Sequence, residues 1–195
     1  VTNFLLVRHG MTDEIGQVLS GWGDVALNAQ GTVAVQALAA RLASVRLSAL
    51  YTSPLARARQ TAALIAAPHR LTPVVEPGVG EVRYGAFTGR SFDALHAAPG
   101  WSRWNAFRSG ARIPDGETMI EVQARVVAAL LRMRDAHGGG NVVVVSHGDA
   151  IKAAVGYVLG SPIDLMLRLE VEPASVTELE LRDDGARVLG VNRRA

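Results

Sequence analysis

The sequence predicts an α/β fold, with helices layered against a central sheet that is mostly parallel and antiparallel at one end. Three observations carry this. Short apolar runs of strand length, Phe4-Leu5-Leu6-Val7, Leu47 to Thr52 and Val142-Val143-Val144-Val145, alternate with stretches of helical pattern. The first and third runs end alike, in Arg8-His9-Gly10 and in Ser146-His147-Gly148-Asp149. Near the C-terminus, Ser175 to Arg182 and Arg187 to Asn192 alternate around Asp183-Asp184-Gly185, as a hairpin does. At 195 residues the chain suits a single domain over 1–195, with a short cap or lid around 82–115 and no repeat or linker.

Each element has its own signals. After the first strand, Gln17 to Asp24 is a glycine-punctuated loop. Asn28 is placed to cap an Ala-rich helix that reaches about Ser44. The second strand, Leu47 to Thr52, runs into Ser53-Pro54, which predicts serine as helix cap and proline at the first helical position. That helix stops before Pro68, and Val74-Val75 is a short strand candidate. Ser91 to Ala97 reads as a short helix, and Trp101, Trp104 and Phe107 follow at helical spacing with Arg103, Arg108 and Arg112 among them. Pro114-Asp115-Gly116 breaks the chain before a long amphipathic helix from Thr118 to about Ala136. Gly138-Gly139-Gly140 leads into the valine strand, Asp149 is placed to cap a helix to Leu159, and Gly160-Ser161-Pro162 stops it.

Composition narrows the function. With 49% hydrophobic and 19% charged residues, the chain is of ordinary globular type. No run is long enough to span a membrane and no signal-peptide pattern opens the chain, so a cytoplasmic protein is expected. The absence of cysteine excludes a thiolate metal site and a thiol nucleophile. The net charge of +2 comes without a basic stripe interleaved with aromatics, which argues against nucleic acid. Lys152 is the only lysine, and the other cations are arginines, which bind phosphate or carboxylate bidentately.

Strands that end in His-Gly deliver their turns to the C-terminal edge of a sheet, where open α/β folds hold ligands. If strands one and four are neighbours, His9 and His147 stand side by side there. Arg8 follows strand one and Arg57 lies in the first turn of the helix after strand two, so two guanidiniums and two imidazoles converge with no acid among them. Such a pocket suits a phosphoryl dianion. The cations should keep His9, whose free pKa is about 6.5, unprotonated and able to attack phosphorus, with its other nitrogen fixed on a carbonyl. Arg8, Arg57 and His147 would hold the equatorial oxygens. Glu81, in a loop near Tyr84 and Phe87, can serve as general acid, with Glu76 and Glu117 as the other available acids. None of the histidines has metal-ligand spacing.

These segments resemble the histidine phosphatase superfamily, also called the phosphoglycerate mutase-like family. The matching stretches are Leu6 to Thr12, Ser20 to Asp24 with Leu27 and Gly31, Ser53 to Ala58 with Thr61-Ala62, Glu81 with Tyr84-Gly85 and Gly89, Gly116-Glu117-Thr118, and Val145 to Gly148. The resemblance implies a three-layer α/β/α sandwich of phosphoglycerate mutase-like type and a covalent phosphohistidine on His9. It implies a phosphate pocket of Arg8, Arg57 and His147, Glu81 as proton donor, and no metal or other cofactor. Thr12, Ser20 and Gly21 match positions that lie against the phosphoryl group or substrate. Met11 and Ile15 depart from the family pattern, which often has an acidic or polar residue at the first and an asparagine at the second.

Three functions follow. A phosphomonoesterase acting on a small phosphorylated metabolite is favoured, because the chain between Glu81 and Gly116 is shorter than in mutases and leaves access for water. A phosphoglycerate mutase would share the first half-reaction. A non-catalytic phosphoryl sensor would keep the pocket alone. The cluster of Trp101, Trp104 and Phe107 is either core beneath a lid or a cap over the organic part of the substrate, and the terminal hairpin would offer an edge for a homodimer.

Overall fold

In the computed structural model, which describes residues 1–194, the strands are β1 (Thr2–Arg8), β2 (Leu47–Thr52), β3 (Val74–Val75), β4 (Gly140–Ser146), β5 (Val176–Leu181) and β6 (Ala186–Arg193). They form a six-stranded sheet in the order β3-β2-β4-β1-β5-β6. The first four strands of that order run parallel, while β5 is antiparallel to β1 and forms the hairpin with β6. Strands β1 and β4 are direct neighbours, with Val7 opposite Val145 and Arg8 opposite Ser146. The two His-Gly turns therefore leave the sheet side by side, tied by a bond from the His9 N–H to the Ser146 carbonyl at 3.0 Å.

The helices are α1 (Ala29–Leu42), α2 (Ala56–Ala66), α3 (Phe92–His96), α4 (Trp101–Ala106), α5 (Met119–His137) and α6 (Gly148–Leu159). Strand β4 shows how they layer. Val142 and Val144 join Phe4, Leu6 and the buried faces of α5 and α6 in one core, and Val143 and Val145 join Val7, Val35, Leu38 and Ile65 in the other. An unbroken run of valines fits a strand covered on both faces. This is the three-layer, mostly parallel arrangement that the sequence predicts. No helix among the described residues is long and apolar enough to cross a membrane.

Helix ends explain where the predicted boundaries hold and where they move. Asn28 caps α1, its side chain accepting from Gly31 N–H at 2.8 Å. Thr118 and Glu121 form a reciprocal capping box at the start of α5, which ends at Gly138 with φ +46°. Ser53-Pro54, in contrast, does not open α2, which starts at Ala56. The Ser53 hydroxyl lies 2.8 Å from His147 Nε2 and accepts the Leu55 N–H at 3.3 Å, so it is engaged across the sheet edge. Asp149 does not cap α6 either. His147 occupies the cap position, and Asp149 in the first turn sends its carboxylate to Arg108 and Tyr84 instead.

Between residues 82 and 115 the chain makes a short 3₁₀ turn at Gly85–Phe87 and the helices α3 and α4. Trp101 stacks on the buried Trp104, with ring centroids 6.0 Å apart. Phe107, expected on the same helical face, lies beyond α4 and is exposed. The chain turns there to bring the Arg108 guanidinium 3.9 Å over the Trp104 ring and into an ion pair with Asp149.

Candidate active site

The C-terminal ends of β1, β2 and β4 open on a cavity of about 300 Å³, and the Arg8, His9, Thr12, Ser20, Gly21, Arg57 and Glu81 side chains or backbone line it. The turn that carries His9 is set by close packing. A Cβ on Gly10 would stand 2.8 Å from Val35 Cγ2 and 2.9 Å from the Gly31 carbonyl, so only glycine lets the turn lie against α1. The His9 Nδ1–H donates to the Gly10 carbonyl at 2.8 Å, which leaves Nε2 as the bare nitrogen, and Arg57 Nε donates to it at 3.2 Å. Burial first, then the charges of Arg57 and Arg8, hold the imidazole well below its ordinary pKa.

Arg57 is only 2% exposed although it is charged. Its Nη2 donates to the Gly21 carbonyl at 2.7 Å and its Nη1 to the Gly23 carbonyl at 3.2 Å. Gly21 thus meets the site through its carbonyl, as the support of a guanidinium. Arg8 is anchored by Nη1 on the Val171 carbonyl at 2.7 Å. Its Nε, and the Thr12 hydroxyl, are buried without a hydrogen-bond partner among the described residues. Buried donors are almost always satisfied, so unpartnered donors around a cavity mark a place for an anion.

His147 is fully buried, its ring centroid 5.0 Å from that of His9. Its Nε2 meets Ser53, while Nδ1 has no hydrogen-bond partner among the described residues and lies 3.9 Å from Glu81 Oε2. Burial, His9 and the arginines push its pKa well down, favouring the neutral imidazole. The Glu81 carboxyl accepts the Val82 N–H at 2.9 Å through Oε1. Burial and the nearby Asp149 charge raise its pKa to about 7, against the opposing pull of Arg57. It is an acid that can hold or release a proton near neutrality.

A second acid, which the sequence reading placed as a helix cap, lines the pocket with Glu81. Asp149 Oδ2 accepts from Arg108 Nη1 at 2.8 Å and from the Tyr84 hydroxyl at 3.0 Å. Burial works against its ionisation, but Arg108, Lys152 and these hydrogen bonds outweigh it and keep the carboxyl below its usual pKa. Arg108 is itself held by Asn105, its Nη2 donating to Oδ1 at 2.7 Å. Asp149 stands two residues beyond His147 and Lys152 three further on, so both could have been placed at the same edge from helical spacing alone. Arg108 could not, because its direction depends on where α4 ends. Glu117, one of the alternative acids, is bound to Arg125 on α5 at 2.8 Å and does not line the cavity. Glu76 caps a short 3₁₀ turn.

The cavity has two ends. Arg8, His9 and Arg57 line a cationic end near Glu81, while His147, fully buried beside His9, does not line the cavity. The other is walled by Ile15, Val18, Leu19, Phe92 and Trp101 together with Asn105, Arg108, Asp149 and Lys152. A group of dianionic charge fits the first, and a small organic body with polar substituents fits the second.

Comparison with known proteins gives the family and the fold. The model of the histidine phosphatase superfamily (branch 1) matches residues 4–194. A curated relative from Photorhabdus laumondii, "Probable phosphoglycerate mutase GpmB", is 32% identical over 180 residues, covering 90% of this chain and 83% of its own. Among solved structures, the alpha-ribazole phosphatase of Shigella flexneri superimposes with a TM-score of 0.88 at 25% identity, covering 99% of this chain and 97% of the other. A mycobacterial glucosyl-3-phosphoglycerate phosphatase, solved with VO3, does so with a TM-score of 0.86 at 28% identity, covering 99% and 100%.

Proposed function

Because the chain belongs to the histidine phosphatase superfamily, we propose that it is a metal-independent phosphomonoesterase that transfers the phosphoryl group of a small metabolite to His9 and then to water. The observation that carries this is the state of His9: Nδ1–H is pinned on Gly10 while the bare Nε2 faces Arg57 beneath an open cavity. A nitrogen so held is a nucleophile that needs no base.

In the first step the phosphoryl oxygens take up the donors of Arg8, Arg57, Thr12, Ser20 and His147, and Nε2 attacks phosphorus in line. The bond from phosphorus to the leaving oxygen breaks as Glu81 gives that oxygen its proton. In the second, the Glu81 carboxylate takes a proton from water, whose oxygen attacks the phosphohistidine and frees His9 and inorganic phosphate. The Ser53 hydroxyl donates to His147 Nε2, which leaves the Nδ1–H to the phosphoryl group. Tyr84 keeps its proton, since burial and Asp149 push its pKa well up, and so remains a donor to Asp149.

The phosphatase is favoured over the mutase by the cap, which between residues 82 and 115 has only the short helices α3 and α4, and by the two phosphatase neighbours. The mutase reading draws support from the name of the curated relative. Turnover of p-nitrophenyl phosphate with a chelator present, by wild type and His9→Ala, tests the proposal. Wild-type hydrolysis lost in the variant is expected. Undiminished hydrolysis by His9→Ala would overturn it, and 3- to 2-phosphoglycerate conversion exceeding hydrolysis would turn the reading to the mutase.

A further inference from the structure

The stretch that carries Glu81 follows a 3₁₀ turn at Pro77–Val79 and joins no strand or helix, so its backbone must find hydrogen-bond partners elsewhere. Arg125, in the middle of α5, supplies them. Its Nη1 donates to the Gly78 carbonyl at 2.9 Å and to the Gly80 carbonyl at 2.8 Å, and its Nη2 donates to the Glu81 carbonyl at 2.8 Å. Glu117 grips the same guanidinium, with Oε1 2.8 Å from Nε and Oε2 2.9 Å from Nη2. Oε2 also accepts the Arg83 N–H at 2.9 Å. One ion pair thus touches the backbone at residues 78, 80, 81 and 83.

The loop lies flat on this support. A Cβ on Gly78 would come within 3.0 Å of Ala129 Cβ and 3.3 Å of the Arg125 carbonyl, and one on Gly80 would come within 2.8 Å of the Trp22 ring. Trp22 Nε1 donates to the Glu81 carbonyl at 2.7 Å, and the Arg83 guanidinium sits 3.9 Å over the Trp22 ring. An ion pair that is partly solvent-exposed adds little stability by itself. This one directs its hydrogen bonds at a single short loop, and the side chain which that loop presents to the cavity is Glu81.

We propose that the Arg125–Glu117 pair is a positioning device for the proton donor, holding the Glu81 carboxyl over the leaving oxygen. The proposal rests on the reading of Glu81 as that donor. As His9 Nε2 bonds to phosphorus and the leaving bond breaks, the Glu81 proton passes to the departing oxygen and Glu81 is left as carboxylate. A displacement of about 1 Å in a reacting group can cost about 10²-fold, so a loosened clamp should slow the first phosphoryl transfer, the step that kcat/KM reports, only where that proton is needed.

The test compares kcat/KM on p-nitrophenyl phosphate, whose leaving group departs as a stable anion, with that on glycerol 2-phosphate, whose alkoxide must be protonated. Arg125→Lys keeps the charge and loses the fork, and Glu117→Gln releases the fork from its far side. Both should lower turnover of glycerol 2-phosphate, by about 30-fold and about 10-fold, part of the roughly 10²–10⁴ that general acid catalysis supplies. On p-nitrophenyl phosphate both should stay within about 3-fold of wild type. Glu81→Gln, measured alongside, should lower kcat/KM on glycerol 2-phosphate by about 10²–10⁴-fold and by more than on p-nitrophenyl phosphate. If Glu81→Gln is selective but the clamp variants lower both substrates equally or neither, the clamp proposal is overturned and the donor reading stands. If Glu81→Gln itself is unselective, the donor reading fails and the clamp's role with it. Circular dichroism identifies a variant that does not fold, and the other then decides.

Discussion

The Ser53 hydroxyl lies 2.8 Å from His147 Nε2, joining the turn after β2 to the turn after β4 at the C-terminal edge of the sheet. The same oxygen accepts the Leu55 N–H, and the Ser53 N–H donates to the Val145 carbonyl at 2.9 Å, so the hydroxyl is fixed in place. Ser53→Ala leaves His147 free to adopt the other tautomer, with a lone pair toward the phosphoryl group. That tautomer withdraws the Nδ1–H from the phosphoryl dianion, and a hydrogen bond to a charged group contributes about 1.5–3 kcal/mol. Steady-state kinetics should therefore show kcat/KM reduced by roughly 10- to 100-fold, and the thermal transition should fall as well, because the buried Leu55 N–H and His147 Nε2 lose their partner.

The pH profile should carry the signature of Glu81. With its pKa raised to about 7 by burial and by Asp149, the donor is protonated below that value and lost above it, so kcat/KM on glycerol 2-phosphate, whose leaving oxygen needs the proton, should fall on the alkaline side of about 7. Asp149→Asn removes a negative neighbour, and the alkaline limb should move to lower pH. A limb that stays in place would show that Asp149 does not act on Glu81.

Stability has a matching pH dependence with opposite signs for the acid and the imidazoles. Glu81 binds its proton more tightly folded than unfolded, so its contribution is present below about 4.5 and lost as pH rises through about 7. His9 and His147 are held neutral by burial, so their contribution is present above about 6.5 and lost as pH falls below it. In thermal melts Glu81→Gln should gain on wild type as pH rises from about 5 to 8, and His9→Gln should gain on wild type as pH falls below about 6.

Arg57 carries both charge and geometry. Arg57→Lys keeps a cation but cannot span the Gly21 and Gly23 carbonyls while reaching His9. Activity should drop by about 10²-fold, of the order found when one donor to a developing charge is removed. The Gly31→Ala variant tests the packing beneath the site instead. A Cβ there would collide with the Met11 backbone, so a loss of about 1–3 kcal/mol in denaturant unfolding is expected.

Residues whose position follows from one strand and the turn after it were legible in the sequence. Arg8, His9 and His147 leave β1 and β4 where the apolar runs end, and the parallel pairing of those strands brings them together. What was illegible depends on contacts between distant segments. Ser53 and Asp149 both read as helix caps because serine and aspartate favour that place, yet each is claimed by a group from another part of the chain, His147 and Arg108. The stretch from Trp101 to Arg112 misled in the same way. Its spacing suggests one helical face, but α4 ends at Ala106, Arg108 pairs with Asp149 and Phe107 is left exposed. The Arg125 clamp on the Glu81 loop has no local pattern at all, since the partners lie more than forty residues apart.

The most direct measurement of the central claim is a rapid acid-free quench of the enzyme during turnover of p-nitrophenyl phosphate, followed by peptide mass spectrometry. The account predicts a peptide containing His9 that gains the mass of one phosphoryl group, loses it in acid, and stays unmodified in His9→Ala. Turnover with no phosphorylated His9 at any quench time, or with the phosphoryl group on another residue, would contradict it.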